Sequence, residues 1–384
     1  MQTPKPPVNK TLAAVAVVMG ALLIAAYVLQ MHKDMSDFGV CFQAGGRIRA
    51  GETLYRTSDG HLQFKYAPLA AILYAPLTFL PRPAADAAWF AVILFLMYAC
   101  FGLAYRALAP PRRSAALVLG LGALVLGKLI GREFALGQVN LLILGLILTS
   151  LLFYQNGRDG RAGLFWALSL FFKPYALVFL PYFILKKRFG PAAAGAATLA
   201  AGLALPTLFY GWSGNLRVLG EWARTLTQST AILLKVGDNA SLYAFLAKHL
   251  GPGPLATYLF LGLAGLLALS VLWLMARTRR GAAARPETLD FAYLLVLVPM
   301  LSPLGWYYNY LYGLPAVVLI LNVFKRITPA WRVVAGIDFL IIGGTLREVL
   351  GKTAFRFYSH HSFVAVSFLI VLAILAHLRY RDIA

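Results

Sequence analysis

The sequence predicts an all-α, polytopic membrane helix bundle of about twelve membrane segments, with juxtamembrane helices in the outer loops. Three observations carry this prediction. Hydrophobic residues make up 60% of the 384 positions and charged residues 13%, against about 25% charged in a soluble domain. Mean hydropathy is +0.73, and apolar runs near the roughly 20-residue length of a membrane span recur along the chain. The net charge of +21 resides in short loops between those runs, as positive-inside topology and anionic headgroups require. The charge therefore points to membrane lipids and not to nucleic acid. Cys41 and Cys100, one in a polar loop and one mid-span, do not predict a structural disulfide. Residues 1–384 read as one integral membrane domain with outer loops at 30–66, 211–253 and 347–361.

The first span, 12–29, leaves a basic N-terminus carrying Lys5 and Lys10 and lacks a small-x-small cleavage site, so it reads as a retained helix. The polar stretch 34–66 follows, with Asp34, Asp37, Arg47, Arg49, Glu52, Arg56, Asp59, His61 and Lys65. Residues 67–80 are too short and Pro-rich to cross easily, and read as a non-crossing or re-entrant helix. This assignment places Arg106, Arg112 and Arg113, after span 85–105, in the cytoplasm.

Spans 114–131 and 137–155 make the next pair. Segment 162–187 has basic residues at both ends (Arg158 and Arg161; Lys186, Lys187 and Arg188). Both ends belong on one side, so the segment reads as a hairpin of two short helices broken at Lys173-Pro174, where proline removes a helix donor. A broken backbone at membrane depth is tolerated where it lines a cavity. Span 191–210, the polar segment 211–253, span 254–276 and the basic loop 277–285 follow. Spans 289–303, 308–324, 331–346 and 362–378 complete the bundle, with both termini cytoplasmic. No inverted repeat of the kind expected in many transporters is visible.

Asp37 lies near the membrane boundary between apolar neighbours. Partial desolvation raises a carboxylate pKa, and a carboxylate so tuned can act as a general base; the alternative is a helix N-cap by Ser36 or Asp37. Lys173 is costly inside an apolar hairpin unless partnered. It reads either as a holder of a lipid phosphate or as a lysine snorkelling to the interface. Lys128, Arg132, Glu133, Gln138 and Asn140 form one outer-side turn. There Arg and Lys can hold a phosphate and the amides can bind hydroxyls, or the turn can be ion-paired at a helix end. Asp238-Asn239 reads as a helix start with one of the two as cap. Trp306, Tyr307, Tyr308, Asn309 and Tyr310 form an interfacial aromatic belt whose faces can also stack on sugars. Histidines are scattered apart from His360-His361, and no metal or nucleotide motif is present.

In order, the chain carries Asp37 with Ala44-Gly45 and Gly51-x-x-Leu54-Tyr55. Phe64-x-Tyr66-x-Pro68, Pro76-Leu77 and Leu80-Pro81 come next. Gly137-Gln138-x-Asn140, Lys173-Pro174-Tyr175, Asn239-x-Ser241-Leu242 and Ser302-Pro303-x-x-Trp306 follow. This ordered set resembles glycosyltransferase family 87, the polyprenol-phosphate-mannose-dependent mannosyltransferases of the type C superfamily. It departs from that pattern at Ala67 (usually Pro), Ala240 (commonly Gln) and Tyr308 (near an expected His).

The resemblance implies a type C glycosyltransferase fold in the bacterial inner membrane, with the active site facing the periplasm or exterior. It implies transfer of a hexose, mannose by analogy, from a polyprenyl-phosphate-linked donor to a lipid or glycan acceptor with inversion, Asp37 being the general base. Lys173, Arg132 and Lys128 are the cations it offers to the donor phosphate. Gln138, Asn140, Tyr66, Asn239, Trp306 and Tyr308 are its expected sugar or acceptor contacts. No metal or other cofactor is expected. A transporter or flippase of lipid-linked sugars is the competing reading. A ligase moving a whole glycan from a diphosphate carrier shares the same geometry.

Overall fold

The computed structural model describes residues 10–33, 35–110, 112–228, 233–234, 236–276 and 285–383. Lys5, Asp34, Lys235 and the basic stretch 277–284 lie outside the described residues. Among those described, the secondary structure is helical, with one isolated bridge between Asn239 and Trp306.

The helices are α1 (Lys10–Leu29), α2 (Ser36–Arg49), α3 (Pro68–Tyr74), α4 (Arg82–Ala107), α5 (Ala115–Leu136), α6 (Asn140–Gln155) and α7 (Asp159–Leu170). They continue with α8 (Phe179–Leu185), α9 (Phe189–Ala204), α10 (Thr207–Gln228), α11 (Leu242–Leu250) and α12 (Pro254–Ala276). The last are α13 (Pro286–Leu301), α14 (Leu314–Val323), α15 (Pro329–Gly344), α16 (Arg347–His360) and α17 (Phe363–Tyr380). Tight 3₁₀ turns extend α3 through Phe79, precede α8 from Pro174, and flank α14.

Six of these stretches are long and apolar enough to cross a membrane: α1, α4, α5, α12, the run Tyr307–Arg326 through α14, and α17. The pair α9–α10, bent by 96°, reaches that length and apolarity only when taken together, as a broken span or a re-entrant loop. Against the expected count of about twelve, the remaining predicted crossings are shorter. Helices α6, α13 and α15 each have 16 residues. That length spans about 24 Å at 1.5 Å per residue, short of a hydrocarbon core of about 30 Å. Helices α13 and α14 are buried almost throughout and form the centre, whereas α1 and α12 are mostly exposed.

The expected cytoplasmic loops converge at one end of the bundle. Arg112 and Arg285 both donate to Arg106 O. Arg113 bonds Leu321 O, and its backbone N–H bonds Asn322. Asp290, fully buried, pairs with Lys186 at 3.1 Å and with Arg379. Segment 162–187 is indeed a hairpin. Arg188, past α8, pairs with Asp159 at the start of α7 and donates to Tyr154 O at 2.9 Å, so both legs end together. Residues 68–80 run beside α2 and return the chain to the start of that helix, at the end opposite the basic loops, where Arg82 donates to Met35 O.

The expected span 191–210 ends earlier, at Ala204, because Pro206 and then Gly211, at φ +67°, interrupt the helix. Beyond the bend, α10 buries Asn215, Val218 and Thr225 on one face, while Trp212 and Leu216, one turn apart, are exposed. That pattern suits a helix lying along the interface.

Candidate active site

At the end of the bundle away from those basic loops, a cavity of about 460 Å³ collects side chains from distant parts of the sequence. Asp37 enters it from the first turn of α2. The helix begins one residue earlier, at Ser36, and no side chain caps it, so the Asp37 carboxylate is not occupied as an N-cap. Its partner is Gln138, whose Nε2 donates to Asp37 Oδ2. Gln138 follows Gly137, which ends α5 at φ +67°. A Cβ on Gly137 would lie 2.6 Å from Phe38 Cβ. Only glycine therefore permits both the left-handed turn and the close approach that carries Gln138 to Asp37.

Burial raises the Asp37 pKa above the ordinary carboxylate value. The Gln138 hydrogen bond and the charges of Lys173, Arg132 and Lys65 oppose the rise.

Lys173 lies at the break of the α7–α8 hairpin, in extended backbone at φ −139°. Its ammonium does not snorkel away. Nζ donates to Asn140 Oδ1 at 2.6 Å and Asn309 Oδ1 at 3.2 Å, and it lines the cavity. The Ala67 N–H bonds Phe171 O at 2.8 Å, locking the hairpin tip to the segment carrying Tyr66. Arg132, on the last turn of α5, lines the cavity with its buried Nε lacking a hydrogen-bond partner among the described residues. A buried guanidinium N–H without a partner is costly and is suited to an anion.

Lys65 and Tyr66 also line the cavity, on a loop that Trp222 Nε1 grips through Lys65 O at 3.0 Å. Burial lowers the Lys65 pKa, and Asp37 opposes the shift. Other loop cations are engaged elsewhere: Arg47 with Asp59 (2.5 Å), Arg56 with Glu52 (2.5 Å), and Arg49 over the Phe79 ring. Trp306 and Tyr308 stack at 6.3 Å and 7° and present an aromatic surface to the cavity, and Gln138 Nε2 also lies 3.4 Å from Tyr308 OH.

The structure thus brings Asp37, Arg132, Lys173, Gln138, Tyr66, Trp306 and Tyr308 to one cavity. It does not bring Lys128 there. That ammonium donates to Thr345 and to Tyr358 OH (3.3 Å), and it sits 4.5 Å over the Tyr358 ring. Asn140 is fully buried behind Lys173. Asn239 is likewise buried and braces the wall, donating to Pro303 O at 3.0 Å. The cap of α11 is Ser241, which accepts from Ala244 N, and not Asp238 or Asn239.

Sequence reasoning left Lys65 and Asn309 without a role. The signal for Lys65 was its place between two aromatic residues of the Phe64-x-Tyr66 motif. The paired His360-His361 gains a third ring, His249, at 5.1–5.5 Å, well apart from the cavity residues in sequence. Cys41 and Cys100 are free and buried.

The family model described as glycosyltransferase family 87 matches residues 64–303. Two similar proteins carry the name polyprenol-phosphate-mannose-dependent alpha-(1-2)-phosphatidylinositol mannoside mannosyltransferase. The one from Mycobacterium tuberculosis (strain ATCC 25618 / H37Rv) is 27% identical over 303 residues, 75% of this chain and 69% of the relative. The one from Mycolicibacterium smegmatis (strain ATCC 700084 / mc(2)155) is 26% identical over 315 residues, 76% and 70% respectively.

Proposed function

The chain belongs to glycosyltransferase family 87, and from that premise we propose that it transfers a mannosyl unit from a polyprenyl-phosphate donor to a hydroxyl of a lipid or glycan acceptor. The donor class is the one printed in the names of both similar proteins, whose acceptor is a phosphatidylinositol mannoside. The observation that carries the reading is the shared cavity: the Asp37 carboxylate and the cations Lys65, Arg132 and Lys173 line one space with Trp306 and Tyr308, and Asp238 is the other carboxylate on its wall.

In this mechanism the acceptor oxygen attacks the anomeric carbon as its proton passes to the Asp37 carboxylate. The bond from that carbon to the donor phosphate breaks with its electron pair on the phosphate oxygen. One displacement inverts the anomeric centre. The leaving group is a phosphate monoester, and the charge growing on it is met by Lys173 and Arg132 in a partly desolvated site, where such interactions act most strongly. Tyr66, Trp306 and Tyr308 supply surface for sugar rings, and Gln138 orients the base. Lys128, turned toward Tyr358, is not assigned to the phosphate. The cavity is assigned to the face opposite the basic loops, which is the periplasmic or exterior side by the positive-inside rule.

The test is transfer of labelled mannose from polyprenyl-phosphate mannose by the purified protein in liposomes, comparing the unmodified protein with Asp37→Asn. Loss of a general base costs roughly 10²–10⁴-fold in rate. Activity of the variant within a few-fold of the parent would remove Asp37 as the base.

A further inference from the structure

One fully buried carboxylate beside the cavity has no part in the mechanism above. Glu133, on the last turn of α5, is 0% exposed. Its Oε2 accepts from Asn140 Nδ2 at 2.7 Å and its Oε1 from the Leu141 backbone N–H at 2.9 Å. An ionised carboxylate only accepts hydrogen bonds. Asn140 must therefore turn its amide nitrogen toward Glu133 and its oxygen away. That oxygen accepts from Lys173 Nζ at 2.6 Å and from Tyr312 OH at 2.8 Å. Asn309 Oδ1 accepts a second bond from the same ammonium at 3.2 Å. An ammonium has three donors, so two are occupied by the protein and one remains for the cavity. Glu133 and Asp37 are the carboxylates whose charge acts on Lys173.

We propose that Glu133 is a positioning residue for the donor phosphate. Through the Asn140 amide it sets the direction of the Lys173 ammonium, and its negative charge balances that cation in the buried hairpin tip. The proposal rests on the donor reading of the cavity. A purely structural role is the competing account. Glu133 also closes the N-terminus of α6, where Val139 offers no side-chain cap, and a missing cap costs stability on its own.

The two accounts separate in a double-mutant cycle of the full-length protein in liposomes, with polyprenyl-phosphate mannose as donor. Glu133→Gln keeps the volume and an acceptor for Leu141, but loses the charge and no longer dictates the Asn140 orientation. Glu133→Gln is expected to raise the donor KM about tenfold, the scale of one charge-assisted hydrogen bond, with the acceptor KM unchanged. In a Lys173→Met background the same substitution is expected to add nothing further. Asn140→Ala, which leaves the Leu141 bond intact, is expected to raise the donor KM similarly. Three results overturn the proposal alone: an equal Glu133→Gln cost in both backgrounds, an effect confined to kcat and thermal stability, or a normal donor KM in Asn140→Ala. A normal donor KM in Lys173→Met overturns the donor reading of the cavity, and the proposal falls with it.

Discussion

At Asp37, the gap between burial and its partners sets the pH behaviour. In the proposed mechanism the base acts as a carboxylate, so kcat/KM is expected to rise with pH through the Asp37 pKa of the free enzyme. Burial places that acid limb above the ordinary carboxylate value, while the Gln138 bond and the nearby cations hold it down. Gln138→Ala and Lys65→Met each remove a group favouring the charged form, so each is expected to move the limb to higher pH. A pH–rate profile showing no movement, or movement to lower pH, contradicts this account. The stability sign follows from the same shift. A folded-state pKa above the unfolded value favours the neutral acid. The Asp37 contribution is therefore complete below the unfolded value and lost as pH rises through the folded one.

Residue-level detail was only partly legible in the sequence. Asp37 stood out by position, but its freedom from capping depends on the helix starting at Ser36. Lys128 and Arg132 lie four residues apart in one polar cluster, yet Arg132 meets the cavity while Lys128 meets Tyr358. Spacing alone does not reveal what packs beside each side chain.

Among the elements, the turn at Gly137 ties the most together, since it ends α5, carries Gln138 and touches Phe38 on α2. Gly137→Ala forces a Cβ into the left-handed region and into Phe38. It is expected to cost roughly 1–3 kcal/mol from the backbone conformation alone, visible as a lower Tm in detergent. Transfer is expected to fall as well, because Gln138 shifts from Asp37. A variant with unchanged Tm and rate shows that the contact yields without cost. The hairpin was legible because basic residues mark both of its ends. The bend after α9 was not, because the run 191–210 is apolar on both sides of Pro206 and gives no compositional boundary there.

For the whole molecule, charge placement predicted the polarity of the bundle better than its number of crossings. The basic loops do gather at one end, and the central α13 and α14 are enclosed by the rest. The apolar runs 137–155, 289–303 and 331–346 read as crossings, but their helices have 16 residues each, because an apolar run does not show how much of it is helix. Asp290 ties this end together by pairing Lys186, at the end of the hairpin, with Arg379 on α17. Asp290→Ala is expected to cost about 3–5 kcal/mol, the usual penalty for stranding a buried ionic partner, read as a drop in Tm. The donor KM is expected to remain near its parent value, since the pair lies at the opposite end from the cavity. A stable variant with impaired donor binding points instead to coupling along the hairpin.

The length of the hairpin legs sets the depth of the site. Helix α7 has 12 residues, so it climbs about 18 Å from the basic end at 1.5 Å per residue. A hydrocarbon core is about 30 Å thick. Residues 171–173 add up to about 10 Å more as the chain extends, so the tip bearing Lys173 lies up to about 28 Å from the basic end, close to the far boundary of such a core. A phosphate reaching that lysine can keep its isoprenoid tail dissolved in the bilayer throughout turnover. On the proposed donor, enzyme and substrate meet by lateral diffusion, so the quantity expected to saturate transfer is the donor's mole fraction among lipids, not its molarity in the surrounding water.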